Sequence, residues 1–504
     1  MIDFTPIVRD HFLSRLQQHA RFIDHADAVQ QGELVRLVEK AALTRIGRKY
    51  DFSSIRTYRQ FASTLPLYCY ENLRPNIMRM VNGIKDELWP GRCINFAQSS
   101  GTSDGRSKFI PITRESFQWN HYLGASDVVS HYLNLNPASR IFSGKAFILG
   151  GSFANNLQLK PGVRVGDLSA NLIENMNPLA NLARIPSKRV ALMEDWTEKL
   201  PRLVQASIGA NVTNLSGVPS WFLTVLKQVL KQTGKSCIHE VWPNLEVFFH
   251  GGIAFGPYRQ QYEGICDMSR MHFLDTYNAS EGFFAVQSDW ESEAMLLLLD
   301  VGVFYEFLPV EESDSDTPEV YPIWEIEQGR TYELIITAAN GLWRYRLGDT
   351  VTIEQLHPVK IKIAGRTRSF INAFGEELIV DNAEKGLQQA CKLTGAIVNE
   401  YTAAPVFMDA NGQCRHQWVI EFDQAPDNLQ QFAAILDKTL QEVNSDYEAK
   451  RFKNLTLQPL EIVVARPGLF NDWLKSRGKL GGQHKVPRLS NNRDIIEQIL
   501  AMNK

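Results

Sequence analysis

Apolar residues recur at helical spacing near the start of the chain. The spacing of three and four residues places one set on a single helix face: Leu34, Leu37, Val38, Ala41 and Ala42. Residues 8–48 contain no proline, so this stretch is predicted to be largely helical. Gly32 is expected to split it into two helices, and Gly47 to end the second.

From about residue 90 to 350, strand-like apolar runs alternate with helical ones. Strands are predicted at 146–149 and 245–249, and a helix at 221–230. The apolar run 295–308 is interrupted by Asp300 and Glu306. It is shorter than the ~20 residues that cross a bilayer, so it is predicted to hold buried strands. Alternation of this kind predicts an α/β layered domain.

Two strands that flank a turn at Asn340-Gly341 are predicted at 332–337 and 343–353. Beyond Arg366 the pattern of apolar residues changes. Shorter elements follow, among them a strand at 417–422 and a helix from about 428 to 443. We therefore expect a large α/β domain over residues 1–366 and a smaller α+β domain over 367–504.

Composition excludes several classes of protein. The 504 residues are 44% hydrophobic and 22% charged, with a net charge of −3. This balance gives no electrostatic reason to expect nucleic acid or an anionic membrane as a partner. Six scattered cysteines form no C-x-x-C pair, and residues 1–4 do not begin a signal peptide. We expect a cytoplasmic protein with reduced thiols, and no protein partner is implied.

The segment 99–108 is the first candidate for chemistry. Hydroxyls and two glycines crowd a short connection between two β-prone runs, and Arg106 and Lys108 follow. Backbone N–H groups, hydroxyls and cations in such a loop can wrap a phosphate chain. A polar hairpin loop is the alternative. The loop is not a Walker motif, because three residues rather than four separate Gly101 from Gly105.

Two further segments place carboxylates where a nucleotide could use them. In the turn-rich run 275–282, Glu281 could hold Mg²⁺ and Tyr277 could lie against an adenine. A surface turn with an exposed glutamate fits that run equally well. Asp349 ends a predicted strand and could accept hydrogen bonds from ribose hydroxyls. By itself it would also fit an ion pair with Arg344 or Arg346.

A glycine-rich, cationic segment over 478–488 contains Lys485. Its composition suits a flexible tail as well as a catalytic loop. Taken in order, five segments resemble one family: 99–108, Tyr277 to Gly282, 345–349, Gly365-Arg366 and 483–488. The resemblance is to the auxin-responsive Gretchen Hagen family of acyl acid amido synthetases, in the adenylate-forming superfamily of firefly luciferase. Leu65-Pro66 and Tyr70-Glu71-Asn72 also resemble this family.

The resemblance implies a large adenylate-forming α/β domain, a mobile α+β C-terminal domain and a set of residue roles. ATP phosphates would be held by Ser99, Ser100, Gly101, Thr102, Ser103, Gly105 and Lys108. The rest of the nucleotide would lie near Gly251, Gly252, Tyr277, Asn278, Ser280, Asp349 (ribose) and Arg366. Glu281 would hold Mg²⁺, and Lys485 would serve the adenylation step. Ser103 replaces the usual threonine, and Asp104 is an additional residue before Gly105.

The resemblance thus predicts an ATP- and Mg²⁺-dependent ligase. It would adenylate a small carboxylic acid and pass the acyl group to an amino-acid amine, releasing AMP and pyrophosphate. An acyl-CoA ligase and a non-catalytic nucleotide-binding relative remain alternatives. Five residues could line an acyl pocket, although each also suits a core position: Trp119, Tyr122, Thr213, Val218 and Phe283.

Overall fold

A long mixed sheet runs through the first three quarters of the protein. The computed structural model describes residues 3–99, 108–153, 159–252, 255–313, 315, 317–366, 370–371, 378–406, 414–444, 447–448, 451, 457–477, 485–490 and 492–504. Within these residues, the strands of the long sheet follow the order β12-β11-β13-β14-β15-β10-β9-β8-β7-β6-β3-β5. The strands are β1 Asn95–Ser99, β2 Lys108–Ile112, β3 Lys145–Ile148, β4 Arg164–Gly166, β5 Arg184–Ile185, β6 Val212–Gly217, β7 Val247–Gly251, β8 His272–Ala279, β9 Gly282–Gln287, β10 Met295–Leu297, β11 Val303–Pro309, β12 Tyr321–Pro322, β13 Thr331–Ala338, β14 Tyr345–Leu356, β15 Val359–Arg366, β16 Phe370–Ile371, β17 Leu378–Ile379, β18 Ile397–Val406, β19 Arg415–Gln424 and β20 Glu461–Ala465.

Helices cover the sheet on both faces. They are α1 Thr5–His19, α2 Arg21–Asp24, α3 Ala26–Ala41, α4 Arg45–Lys49, α5 Tyr58–Thr64, α6 Tyr70–Val81, α7 Tyr122–Leu135, α8 Leu168–Asn175, α9 Pro178–Leu182, α10 Lys188–Ala191, α11 Trp196–Ile208, α12 Pro219–Thr233, α13 Gly256–Ile265, α14 Val380–Thr394, α15 Leu429–Val443, α16 Leu469–Ser476 and α17 Asp494–Ala501. A π-helical turn, Ser116–His121, leads into α7. None of the described helices is long and apolar enough to cross a bilayer.

Strands β5, β3, β6, β7 and β8 are parallel and form one end of the long sheet. Successive side chains point to opposite faces, so Phe248 joins one apolar core while Val247 and Phe249 join another. The predicted α/β layering is confirmed here. The antiparallel pair β13–β14 matches the two strands predicted around Asn340-Gly341.

The end strands of the long sheet are both very short. Strand β5 has two residues and is followed by Pro186, and β12 has two residues, of which the second is Pro322. A separate small sheet pairs β1 with β2 and β4.

The residues beyond Ile379 form their own small sheet of β18, β19 and β20 with helices on both faces. On β19, Trp418 and Ile420 belong to one apolar core, with α14 and α15. Val419 belongs to another, with α16 and α17. The predicted strand and helix in this region are present as β19 and α15.

The helical start was predicted correctly as a whole but wrongly at two glycines. Gly32 lies inside α3, and the break falls instead at His25. A side chain at Gly32 would point into open space, so the buried face of α3 stabilises the helix despite the flexible residue. Gly47 lies inside α4 rather than at a helix end. A Cβ there would come within 2.2 Å of the Ala41 carbonyl oxygen, which explains the glycine.

Candidate active site

A cleft of about 2730 Å³ lies at the carboxyl ends of the parallel strands. In open α/β sheets, ligands bind at this edge. The cleft is also lined by residues from the C-terminal part of the chain, including Lys485 and Arg488.

The glycine turn after β7 forms one wall. Gly251 lies opposite Thr276 of β8, and a Cβ on Gly251 would come within 2.4 Å of the Thr276 carbonyl oxygen. The Thr276 hydroxyl donates to the His250 carbonyl at 2.9 Å, which holds the two strand ends together. Gly252 has a φ of 80°, a conformation that favours glycine. The sequence motif at these glycines therefore marks a close backbone contact beside the cleft.

Tyr277 and Asp349 meet on the next part of the wall. The Tyr277 hydroxyl donates to Asp349 Oδ2 at 2.7 Å. Asp349 in β14 lies opposite Arg366 at the end of β15, so three expected site residues lie together. The two arginines considered as partners of Asp349 bind other carboxylates: Arg344 binds Glu306 at 2.8 Å, and Arg346 binds Glu333 at 2.5 Å.

Glu281 lies in a two-residue turn that joins β8 to β9. Ala279 and Gly282 pair across this turn, and Asn278 pairs with Phe283 behind it. The Asn340 side chain donates to the Glu281 carbonyl at 2.9 Å and fixes the turn. Glu281 is half-buried rather than fully exposed, and with Asn278 and Ser280 it lines the cleft.

Two tyrosines lie near the Glu281 carboxylate. Burial raises the pKa of Tyr70, and the negative charge of Glu281 raises it further. Burial likewise raises the pKa of Tyr345 well above its ordinary value, again with a contribution from Glu281. The Lys108 ammonium lies 5.6 Å from the centre of the Tyr70 ring. Lys108 and Glu281, which carry opposite charges, therefore lie near the same tyrosine at the mouth of the candidate phosphate loop.

The two ends of that loop are as predicted. Ser99 and Lys108 are paired antiparallel residues, at the end of β1 and the start of β2. Ser100, Gly101, Thr102, Ser103 and Gly105 lie outside the described residues. The side chain of Arg366 lies outside them as well.

Lys485 enters the cleft from the C-terminal part of the chain. A Cβ placed on Gly252 would lie 3.5 Å from the Lys485 ammonium nitrogen. Arg488 anchors the segment: its guanidinium pairs with Glu400 and donates to the Tyr258 hydroxyl in α13 at 3.2 Å. The predicted lysine thus meets the predicted glycine turn in the cleft, although the two are far apart in the sequence.

The side chains of the cleft suit a nucleotide that carries its own metal ion. Among the residues the structure describes, no three His, Cys, Asp or Glu side chains cluster as a metal centre. Mg²⁺ bound with a nucleotide needs one or two carboxylates, since phosphates and water supply the other ligands. The half-buried Glu281 meets that need, and the bare backbone at Gly252 leaves room for a close-lying phosphate or base beside Lys485.

The expected acyl-pocket residues divide into two groups. Tyr122, Val218 and Phe283 line the cleft, whereas Trp119 and Thr213 do not. Trp119 is covered by the Arg36 guanidinium, 4.2 Å from its ring centre. Thr213 is buried, and its hydroxyl donates to the Ile141 carbonyl at 2.6 Å. Spacing along the chain identifies buried faces but not which buried residue meets a cavity.

Sequence reasoning did not identify Tyr258 or Glu400 as the anchors of Arg488. It also missed Lys199, a buried lysine that donates to the Gly150 carbonyl at 2.6 Å beside the cleft. Burial lowers the pKa of Lys199 to about 8. Little in the sequence indicates that Lys199 is buried, because a single lysine in an amphipathic helix usually lies on the exposed face.

Comparison with known proteins identifies the family. Family models match the GH3 family N-terminal domain over residues 15–271, the central domain over 296–366 and the C-terminal domain over 381–494. The chain is 23% identical to an indole-3-acetic acid-amido synthetase of Arabidopsis thaliana, covering 92% of this chain and 89% of that protein. It is 24% identical to a jasmonoyl–L-amino acid synthetase of Oryza sativa subsp. japonica, covering 95% of each.

Solved structures show the same fold. An acyl acid amido synthetase in complex with 2,4-DB superposes with a TM-score of 0.80, at 18% identity, over 99% of this chain and 97% of that one. A 2-hydroxyisobutyryl-CoA ligase superposes with a TM-score of 0.58, at 12% identity, over 97% and 91%. The family matches span most of the chain, and the resemblance seen in its motifs is confirmed: the protein belongs to the GH3 family.

Proposed function

We propose that this protein is an acyl acid amido synthetase that uses ATP. The observation that carries the proposal is the position of Lys485, whose ammonium group lies beside Gly252 in the cleft that also holds Asp349 and Glu281. A cation, a ribose acceptor and a metal-binding carboxylate on one cleft suit the activation of a carboxylate by ATP. The names of the relatives support an amide product.

The reaction has two steps. A carboxylate oxygen of the acid attacks the α-phosphorus of ATP, and the bond to the leaving pyrophosphate breaks, which gives an acyl-adenylate. The amine of an amino acid then attacks the acyl carbon, the bond to the AMP oxygen breaks, and the amine loses a proton. The products are an amide, AMP and pyrophosphate.

Each site residue has a proposed part in this sequence. Asp349, oriented by Tyr277, would accept hydrogen bonds from the ribose. Lys485 would offset negative charge on the phosphates as the first step proceeds. Glu281 would hold Mg²⁺, which supplies further charge neutralisation when bound. Lys108 and the loop that it follows would bind the phosphate chain, and Arg366 would lie near the nucleotide.

We also propose a domain boundary and a cellular location for the protein. We place the boundary between the large and small domains at 366/367, where β15 ends. We also propose a cytoplasmic location, since no disulfide joins the six cysteines, all of which the structure describes.

The first experiment is acid-dependent exchange of pyrophosphate into ATP. Purified protein, Mg²⁺ and a panel of aromatic, indole and aliphatic acids are used, and exchange above the acid-free rate is expected with at least one acid. Tight ATP binding without exchange for any acid would favour a non-catalytic nucleotide-binding protein.

A second measurement separates the amide and thioester products. AMP release is followed with the active acid and either an amino-acid mixture or CoA. The amido synthetase predicts acceleration by amino acids, whereas acceleration by CoA alone would favour the acyl-CoA ligase, whose fold this chain also shares.

A further inference from the structure

The cleft extends away from the nucleotide site along the face of the sheet that α7 covers. Alternate residues of the parallel strands line its floor, among them Ile148 of β3 and Ser216 of β6. Tyr122 and Val129 of α7 line the opposite side. This arm of the cavity is mainly apolar, with aliphatic and aromatic walls.

A buried arginine lines the same cavity at the far edge of the sheet. Arg184 of β5 lies opposite Ala146 of β3, and Ala146 lies beside Asn214 of β6. All three residues line the cavity, and Arg184 is 5% exposed. Arg184 in β5 lies three strands from Gly251 in β7, which corresponds to about 14 Å at roughly 4.8 Å per strand. The arginine is therefore well separated from the site of acyl activation.

The guanidinium group is incompletely bonded. Its Nη1 donates to the Pro186 carbonyl at 2.7 Å. Among the described residues, its Nε and Nη2 have no hydrogen-bond partner and Arg184 forms no ion pair. Burial lowers the pKa of Arg184, and no carboxylate among the described residues opposes that effect. An unpaired buried cation is costly, so this position favours binding of an anion.

We propose that Arg184 binds a second carboxylate at the distal end of the acyl acid. A guanidinium matches a carboxylate through paired N–H donors, and two of its nitrogens are available here. The apolar arm between the two ends would accommodate a hydrocarbon middle. The substrate class is then a dicarboxylic acid, a conclusion that rests on the proposed acyl-activating function.

The test compares matched acids in pyrophosphate exchange. The probes are suberate, sebacate and dodecanedioate against octanoate, decanoate and dodecanoate, with wild-type protein, Arg184→Met and Arg184→Lys. Wild-type protein should prefer at least one diacid, and Arg184→Met should lower the diacid-to-monoacid ratio of kcat/KM about 10–100-fold. Arg184→Lys should retain part of the preference. Arg189→Met, an exposed neighbour with the same change of charge, is the control.

Calorimetric binding of the same diacids gives a readout that does not need turnover. Wild-type binding that weakens in Arg184→Met supports the proposal even if exchange is absent, in which case the proposed ligase activity alone fails. No diacid preference in wild-type protein by either method, or an equal preference in Arg184→Met, would overturn it.

Discussion

At the scale of single residues, the position of Lys485 in the cleft is fixed by contacts that its neighbours make. The buried Val486 and the anchored Arg488 hold the segment against α13 and β18. The lysine itself is exposed to the cleft, where its charge can act on a bound anion.

We predict that Lys485→Ala lowers the rate of adenylation roughly 10²–10³-fold, by analogy with the loss of one transition-state donor. Pyrophosphate exchange measures the rate, and circular dichroism checks that the fold is kept. Lys475→Ala, at an exposed position in α16, is the matched control. Near-normal exchange by Lys485→Ala would remove the lysine from the mechanism.

His121 gives the protein a pH-dependent stability. Burial lowers its pKa to about 4, while the unfolded imidazole titrates near 6.5. Between these values the unfolded chain binds more protons, so the free energy of unfolding falls as the pH drops from 6.5 to 4.

His121→Asn should reduce that fall by up to roughly 3 kcal/mol, at about 1.4 kcal/mol per pKa unit. Urea unfolding at pH values of about 7.5, 5.5 and 4.5 measures most of this range. The exposed His11→Gln is the control. Identical pH profiles for wild type and His121→Asn would contradict the assignment.

At the scale of elements, β7 and β8 come together through Gly251. Because a Cβ there would meet both the carbonyl and the hydroxyl of Thr276, at 2.4 and 2.6 Å, substitution must move one strand end.

Gly251→Ala should lower stability by about 1–3 kcal/mol and raise the KM for ATP. Chemical denaturation and exchange kinetics measure the two effects. Gly264→Ala, inside α13 with no atom within 4 Å of the added methyl group, should instead gain roughly 0.5–1 kcal/mol. Similar stabilities for the two variants would argue against the close contact.

The sequence predicted individual helices and strands better than the contacts between them. Periodicity correctly indicated β13, β14, β19 and α15, because a buried face repeats within each element. It could not show that Tyr277 meets Asp349 across 72 positions, since three strands separate β8 from β14 in the sheet and the contact depends on how the whole sheet folds. The family resemblance placed Tyr277 near the adenine and Asp349 at the ribose, but it did not predict their contact. Arg184 had no local signal at all, because its burial depends on β5 joining β3.

At the scale of the whole molecule, an exposed ion pair links the C-terminal unit to the large domain. Lys227 of α12 pairs with Asp423 of β19 at 2.6 Å, and the lysine side chain is 48% exposed. An exposed pair of this kind contributes only about 0–1 kcal/mol. The contact can therefore break and re-form at little cost, as the mobile C-terminal domain expected from the family resemblance would require.

We predict that a cleavable bismaleimide linking Lys227→Cys to Asp423→Cys preserves adenylation and blocks acyl transfer, because Lys485 already lies in the cleft. Exchange measures the first step and amide formation the second. Cleavage of the linker should restore transfer, and the Lys227→Cys single variant is the control. Equal loss of both steps, or of neither, would contradict the domain motion.

The short end strands of the long sheet have a consequence for how copies of the protein meet. Each offers two residues, and a proline, which has no N–H to donate, lies at or next to each. A neighbouring chain therefore finds little backbone with which to pair at either edge. The length of this sheet is limited by its own ends, and copies of the protein in a crowded solution are protected from polymerising through these two edges.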